Sequence, residues 1–159
     1  MPMPDAIIKI LQHPDFQRGI AWERKYFPAQ ALITAENEKS RNIYIVENGE
    51  VRILGHLCLE NGHSVRPGYC DLGPGAIFGE LTLFNSEPRD SSVEAVSDCH
   101  VVVIDGAVLE EFLNSNPELG FSFMKEIYLL LVKRLRQTNN RVNSLFAWGL
   151  KVHGIDQHL

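Results

Sequence analysis

The sequence predicts a mainly β domain of the sandwich or jelly-roll kind, flanked by helices. Two observations carry this. Between residues 24 and 104, short strand-like runs follow one another, separated by Gly, Asn and Pro turn signals; many short strands with frequent turns are the pattern of such folds. After Asp105 the apolar spacing changes from alternation to helical periodicity and stays helical to about Trp148. A chain of 159 residues is long enough for one domain with a real core.

The first element is a helix over residues 5 to about 18. Asp5 can cap it, Ile7, Ile8 and Leu11 share a face, and Pro14 interrupts the pattern. The strand-like runs are Arg24–Phe27, Ala31–Thr34, Asn42–Val46, Val51–Leu54, Tyr69–Leu72, Ser92–Ala95 and His100–Ile104. Asn48-Gly49, Asn61-Gly62, Pro67-Gly68 and Gly73-Pro74-Gly75 punctuate them, with Gly49 supplying a positive-φ turn position. Asp105 can cap a helix carrying Val108, Leu109, Phe112 and Leu113. Asn116-Pro117 then breaks the chain, and proline suits the first turn of a last helix from Pro117 to about Trp148. There is no internal repeat and no Gly/Ser/Pro-rich linker. The expected organisation is a domain over 1–148, with a β-barrel about 20–104 and C-terminal helices about 105–148, then a short tail over 149–159.

Composition narrows the function. There are 15 basic and 20 acidic side chains, net −5, which argues against a broad nucleic-acid surface. One phosphate pocket needs only local charge and stays open. Cys58, Cys70 and Cys99 form no CxxC pair and read as buried small hydrophobes of a reducing cytoplasm. No apolar run reaches the ~20 residues that span a bilayer, and the N-terminus lacks the pattern of a secretion signal. The expectation is a soluble, cytoplasmic protein with no membrane contact.

The most chemically informative stretch is Gly75-Ala76-Ile77-Phe78-Gly79-Glu80-Leu81-Thr82-Leu83-Phe84, followed by Pro88-Arg89. It reads as a tight glycine turn opening a short helix, with an acid at its start and an arginine nine residues after that acid. Backbone N–H groups at a helix start favour an anion. The planar guanidinium of an arginine can clamp two phosphate oxygens. A carboxylate only accepts, so it suits a sugar hydroxyl. A cyclic nucleotide offers both partners.

Phe78-Gly79-Glu80-Leu81-Thr82-Leu83, a spacer, then Pro88-Arg89-Asp90-Ser91-Ser92-Val93 resembles the phosphate-binding cassette of the cyclic nucleotide-binding domain family. Asn42 to Val51 resembles that family's Tyr-Ile-Val-x-x-Gly-x-Val hairpin. Phe27-Pro28-Ala29-Gln30 resembles its Pro-Ala-Gly turn, with Gln30 in place of glycine, which suggests a different local turn. The resemblance covers about residues 15–147. It implies a cyclic nucleotide-binding jelly-roll β-barrel with N-terminal helices and a long C-terminal dimerisation helix. It assigns Arg89 to the cyclic phosphate and Glu80 to the ribose 2′-OH, with backbone N–H groups from Gly79 and Leu81. Phe78 stands in the same cassette, but it and Leu83 read first as core. Ser91 and Ser92 can add a hydrogen bond or be ordinary strand serines.

Asp90 departs from the family, which places Ala, Ser or Thr after the arginine. At ~5 Å and an effective dielectric of ~20, its repulsion of a phosphate is about 3 kcal/mol. Three readings stay open: the carboxylate turns away, it weakens binding or pairs with Arg89, or it accepts from the N1–H and N2–H₂ edge of a syn guanine.

On the last helix, Met124, Tyr128, Leu131, Leu135, Thr138, Val142 and Leu145 step by four and three. This is a heptad seam with one polar interruption, which favours a homodimer through the 117–148 helix. Arg134-Leu135-Arg136-Gln137-Thr138-Asn139-Asn140-Arg141-Val142 resembles the dimer helix of the bacterial catabolite activators, Arg-Leu-x-x-Thr-Ser-x-Lys-Val. That resemblance implies that Thr138 of one chain and Asn139 of the other reach the base.

The resulting expectation is a stand-alone sensor with no cofactor, whose ligand is cAMP, with cGMP the alternative. It has no DNA-binding domain, because eleven residues after the seam cannot make a helix-turn-helix. Its downstream protein is unknown. The alternative function is a fold that has lost its ligand and acts as an interaction module. An enzyme is not expected: His56, Glu60 and His63 lack a recognised metal spacing, and no nucleophile–base pair has motif support.

Overall fold

A computed structural model describes residues 3–55, 57–58, 64–65, 67–85 and 87–153. The chain divides into two compact units, Met1–Phe121 and Ser122–Leu159.

Among the described residues, the first unit holds all the strands. β1 (Trp22–Phe27), β3 (Ile43–Asn48), β8 (Ile77–Phe78) and β10 (Cys99–Ile104) form one antiparallel sheet in the order β1-β10-β3-β8. β2 (Leu32–Thr34), β4 (Val51–Leu54), β7 (Gly68–Leu72) and β9 (Ser92–Ala95) form a second, in the order β2-β9-β4-β7. β5 (Leu57–Cys58) and β6 (Ser64–Val65) pair separately as a short ribbon. Among the described residues, the strands form these two four-stranded sheets and the ribbon, with no pairing that closes them into a barrel.

Side-chain parity builds the core. On β3, Tyr44 and Val46 point between the sheets with Phe78, Val101 and Val103, and meet Val51, Leu72, Val93 and Ala95 of the other sheet. Ile43, Ile45, Val102 and Ile104 have the opposite parity, yet each is 0 % exposed. A strand buried on both faces needs a second cover. In the same unit α1 (Asp5–Leu11) and α2 (Gly106–Ser115) bury apolar faces of their own, with Ile7, Ile10, Leu109 and Phe112 among them. Phe112 also packs on Phe16, with ring centroids 5.0 Å apart. Cys99 is buried, and that burial pushes its thiol up from its ordinary value. Cys70 is half-buried and, like Cys99, a free thiol.

Several expectations are corrected. α1 stops at Leu11, not near residue 18; Pro14 follows within one turn, and its ring excludes a continuous helix. Asp5 is the first helical residue rather than the cap, and Pro4 precedes it without a side-chain cap. β5, β6 and β8 are additional strands of two residues each. Gln30 keeps the left-handed turn that glycine would occupy, with φ 69°, although a different turn was expected. Its N–H donates to Ala95 O at 2.7 Å, so the turn is fixed by a bond to the neighbouring strand. Gly49, as expected, has a positive φ, and Asp105 caps α2 through two backbone N–H groups.

The second unit is the rest of α3 (Pro117–Val152), an element that begins in the first unit. On its seam, Tyr128, Leu135, Val142 and Leu145 are all more than half exposed. Among the described residues, no helix is long and apolar enough to cross a membrane.

Candidate functional site

The cassette is built by a strand, a corner and one short turn. β8 ends at Phe78, whose ring stacks on Tyr44 at 4.9 Å and 7°. The chain then turns at Gly79, with φ 82° and ψ 5°, and enters a 3₁₀ turn over Glu80–Thr82. A side chain is costly in that left-handed conformation. It also has no room there, because an added Cβ would lie 2.8 Å from Asn42 O and 2.8 Å from Arg89 Nη1.

Arg89 is the centre of the site. It is only 5 % exposed. Its Nη1 donates to Gly79 O at 2.7 Å and to Thr82 Oγ1 at 2.8 Å. Its Nη2 donates to Asn42 O at 2.6 Å and to Ser40 Oγ at 3.3 Å. The guanidinium also lies 5.6 Å from the Tyr44 ring centroid. An arginine has five N–H donors. Four are bonded inside the protein, and the fifth, on Nε, is buried without a partner. Thr82 completes the knot by donating to Ser40 O at 2.8 Å. The guanidinium therefore ties the cassette to the segment that leads into β3.

Beside this knot lies a cavity of about 350 Å³, a volume within the range of small-molecule sites. Leu81, Thr82, Asn85, Arg89 and Asp90 line it, as do Glu36 and Glu87. Three carboxylates thus share its walls with one guanidinium.

The sequence-predicted residues fall into distinct places. Gly79, Leu81, Arg89 and Asp90 come together at the cavity or its corner. Leu81 is 55 % exposed and Asp90 is exposed. Glu80 is buried at the start of the 3₁₀ turn and is not among the lining residues. Phe78 lies in the core. Ser91 is half-buried, and the neighbouring Ser92 Oγ accepts from Glu36 N at 2.9 Å. Thr138 and Asn139 are exposed residues of α3, in the second unit. Among the described residues, no ion pair joins Asp90 to Arg89, and no cluster of His, Cys, Asp and Glu fits a metal ion. His56, Glu60 and His63 lie outside the described residues.

Sequence reasoning missed the partners of Arg89. Ser40, Asn42 and Tyr44 stand more than forty residues before it and carry no local signal. Thr82 lies inside the cassette, and its hydroxyl was the one available clue.

A family model, described as the cyclic nucleotide-binding domain, matches residues 24–116. The chain belongs to the cyclic nucleotide-binding domain family. The curated relatives include a CRP-like cAMP-activated global transcriptional regulator of Mycobacterium tuberculosis, 29% identical over 88% of this chain and 54% of that protein. The chain spans about half the length of this relative. Among solved structures, a cyclic nucleotide-binding domain from Methylobacillus flagellatus has a TM-score of 0.68 at 22% identity, covering 76% of this chain and 66% of that one. The Thermus thermophilus catabolite activator protein has a TM-score of 0.60 at 23% identity, covering 84% and 63%. At those identities, the two structures support the fold alone. The chain thus carries the regulatory fold of the cyclic nucleotide-binding domain family over residues 24–116.

Proposed function

We propose that the chain is a cytoplasmic sensor whose ligand is cAMP and whose output travels through α3. Arg89 serves the cyclic phosphate, Glu80 the ribose 2′-OH, and Gly79 and Leu81 supply backbone N–H groups. Asp90 and Ser91 follow the arginine at the rim, and Phe78 anchors the cassette from the core. Two copies pair along the 117–148 helix, so that Thr138 of one chain and Asn139 of its partner approach the base. The ligand biases the arrangement of that pair by its differential affinity for two states, and a downstream protein reads the result. cGMP is the competing ligand, because Asp90 can accept from a guanine edge.

The observation that supports this reading is the folded cassette itself. A left-handed Gly79 leads into the 3₁₀ turn Glu80–Thr82, and Leu81 and Thr82 of that turn line a cavity of about 350 Å³ together with the buried Arg89. The name of the mycobacterial relative adds cAMP as the first nucleotide to test. Calorimetry with pure protein tests it: cAMP binds, and Arg89→Ala abolishes the heat. No binding of cAMP or cGMP up to millimolar concentration sinks the proposal.

One observation favours a second reading, a ligand-free interaction module. Four donors of Arg89 are committed to the protein, and Glu36, Glu87 and Asp90 line the adjoining cavity. A thermal shift separates the two. A ligand at 100 times its Kd raises stability by about 2.7 kcal/mol, whereas an interaction module shows no shift with either nucleotide.

A further inference from the structure

The bonds that hold Arg89 in place are also bonds that a nucleotide must break. A bidentate grip on a phosphate uses two N–H groups aimed in one direction. Nη1 has both of its hydrogens bonded, to Gly79 O and Thr82 Oγ1, and Nη2 has both of its own bonded, to Asn42 O and Ser40 Oγ. Only the Nε hydrogen lacks a partner, and one N–H cannot make a two-point clamp. The two carbonyls belong to the backbone and cannot be mutated away. The two hydroxyls can. We propose that Thr82 and Ser40 form a latch on Arg89, and that release of this latch sets the affinity of the cassette for a cyclic nucleotide. This rests on the reading in which Arg89 grips the cyclic phosphate.

The thermodynamics follow from a two-conformation cycle. In the latched conformation, Thr82 Oγ1 satisfies a buried charged donor. In the nucleotide-holding conformation, that donor is satisfied by phosphate instead. Removing the hydroxyl costs only the latched conformation, because a buried donor is left unpaired there. Thr82 Oγ1 also donates to Ser40 O at 2.8 Å, with Gly79 O a longer acceptor at 3.5 Å, and neither bond involves the guanidinium. The substitution therefore raises affinity by the free energy of the latch bond, and lowers stability by more than that, because the bond to Ser40 O is lost as well. Most substitutions at a binding cassette weaken binding; this one strengthens it.

The test titrates cAMP and cGMP into wild type, Thr82→Val and Thr82→Ser, and melts each protein without nucleotide. Thr82→Val melts lower and binds about tenfold tighter, the equivalent of one lost hydrogen bond to a charged group. Thr82→Ser keeps the hydroxyl and restores wild-type binding. Should Thr82→Val fail to fold, Ser40→Ala removes the longer contact of 3.3 Å and binds about twofold to threefold tighter. Equal or weaker binding by Thr82→Val or Ser40→Ala, with wild type still binding, overturns the latch and leaves the sensor standing. No binding of either nucleotide by any protein overturns the sensor, and the latch with it.

Discussion

Gly79→Ala is the sharpest test of the cassette geometry. Two costs add at this position. The backbone conformation, φ 82° and ψ 5°, disfavours any side chain by about 1 kcal/mol. The new methyl then meets Asn42 O at 2.8 Å, Arg89 Nη1 at 2.8 Å and Tyr44 Cδ2 at 3.0 Å. None of the three yields easily. Asn42 O is backbone and accepts from Arg89, Arg89 Nη1 is held by two acceptors, and the Tyr44 ring is stacked on Phe78. Overpacking of this kind costs roughly 1–3 kcal/mol, for a total of about 2–4 kcal/mol. At about 2–4 °C per kcal/mol for a chain of this size, the melting midpoint falls by roughly 5–15 °C. Gly19→Ala is the matched control: its φ is +86°, and nothing lies within 4 Å of an added Cβ. It carries the backbone cost alone, about 1 kcal/mol. Thermal melts of the two variants isolate the steric part. Equal midpoints would refute the packing of Arg89, Asn42 and Tyr44 around this corner.

Two further outcomes are expected. Asp105 accepts from Ala107 N at 2.9 Å and Val108 N at 3.0 Å; Asp105→Ala costs about 1 kcal/mol and lowers the midpoint by about 2–4 °C, whereas Asp105→Asn stays near wild type, and an unchanged melt of the alanine variant removes the cap from the account. Leu135 is 61 % exposed on the α3 seam; Leu135→Asp converts the proposed dimer to monomer in light scattering, and a wild type that is already monomeric at tens of micromolar by the same measurement defeats the pairing.

The sequence made the longer strands legible because turn chemistry brackets them. Asn48-Gly49 separates β3 from β4, and Gly73-Pro74-Gly75 ends β7. β8 escaped notice because a two-residue strand has no period; its pairing of Ile45 with Ile77 and Tyr44 with Phe78 is a property of the sheet. Gln30 misled for a different reason. A tertiary hydrogen bond to Ala95 O holds it at a positive φ, against the local preference that suggested another turn. At the site, Gly79 and Arg89 were legible because the cassette is local in sequence. The commitment of Arg89 was not, since Ser40 and Asn42 reach it only once β3 lies beside β8.

The charges of α3 bear on how two copies would pair. From residue 127 to residue 153 there are Lys133, Arg134, Arg136, Arg141 and Lys151, and no acid. A helix so one-sided in charge pairs with itself only if its basic residues avoid each other. With Leu135 and Val142 at a positions and Leu131, Thr138 and Leu145 at d, Arg134 and Arg141 fall at g. In a parallel pair, each g residue faces the e residue five places further along the other helix. Arg134 then faces an asparagine, position 139, and Arg141 faces a phenylalanine, position 146. The first contact is a hydrogen bond to an amide, and the second is a cation–π contact. In an antiparallel pair, g faces g, and arginine meets arginine across the seam, which is destabilising. The same register places Thr138 at d, the one polar seam residue between Leu135 and Val142, where a polar group fixes alignment at some cost in stability. The proposed role of Thr138 and Asn139 at the base requires residues of both chains at one level. A parallel, in-register pair supplies this; a staggered or antiparallel one does not.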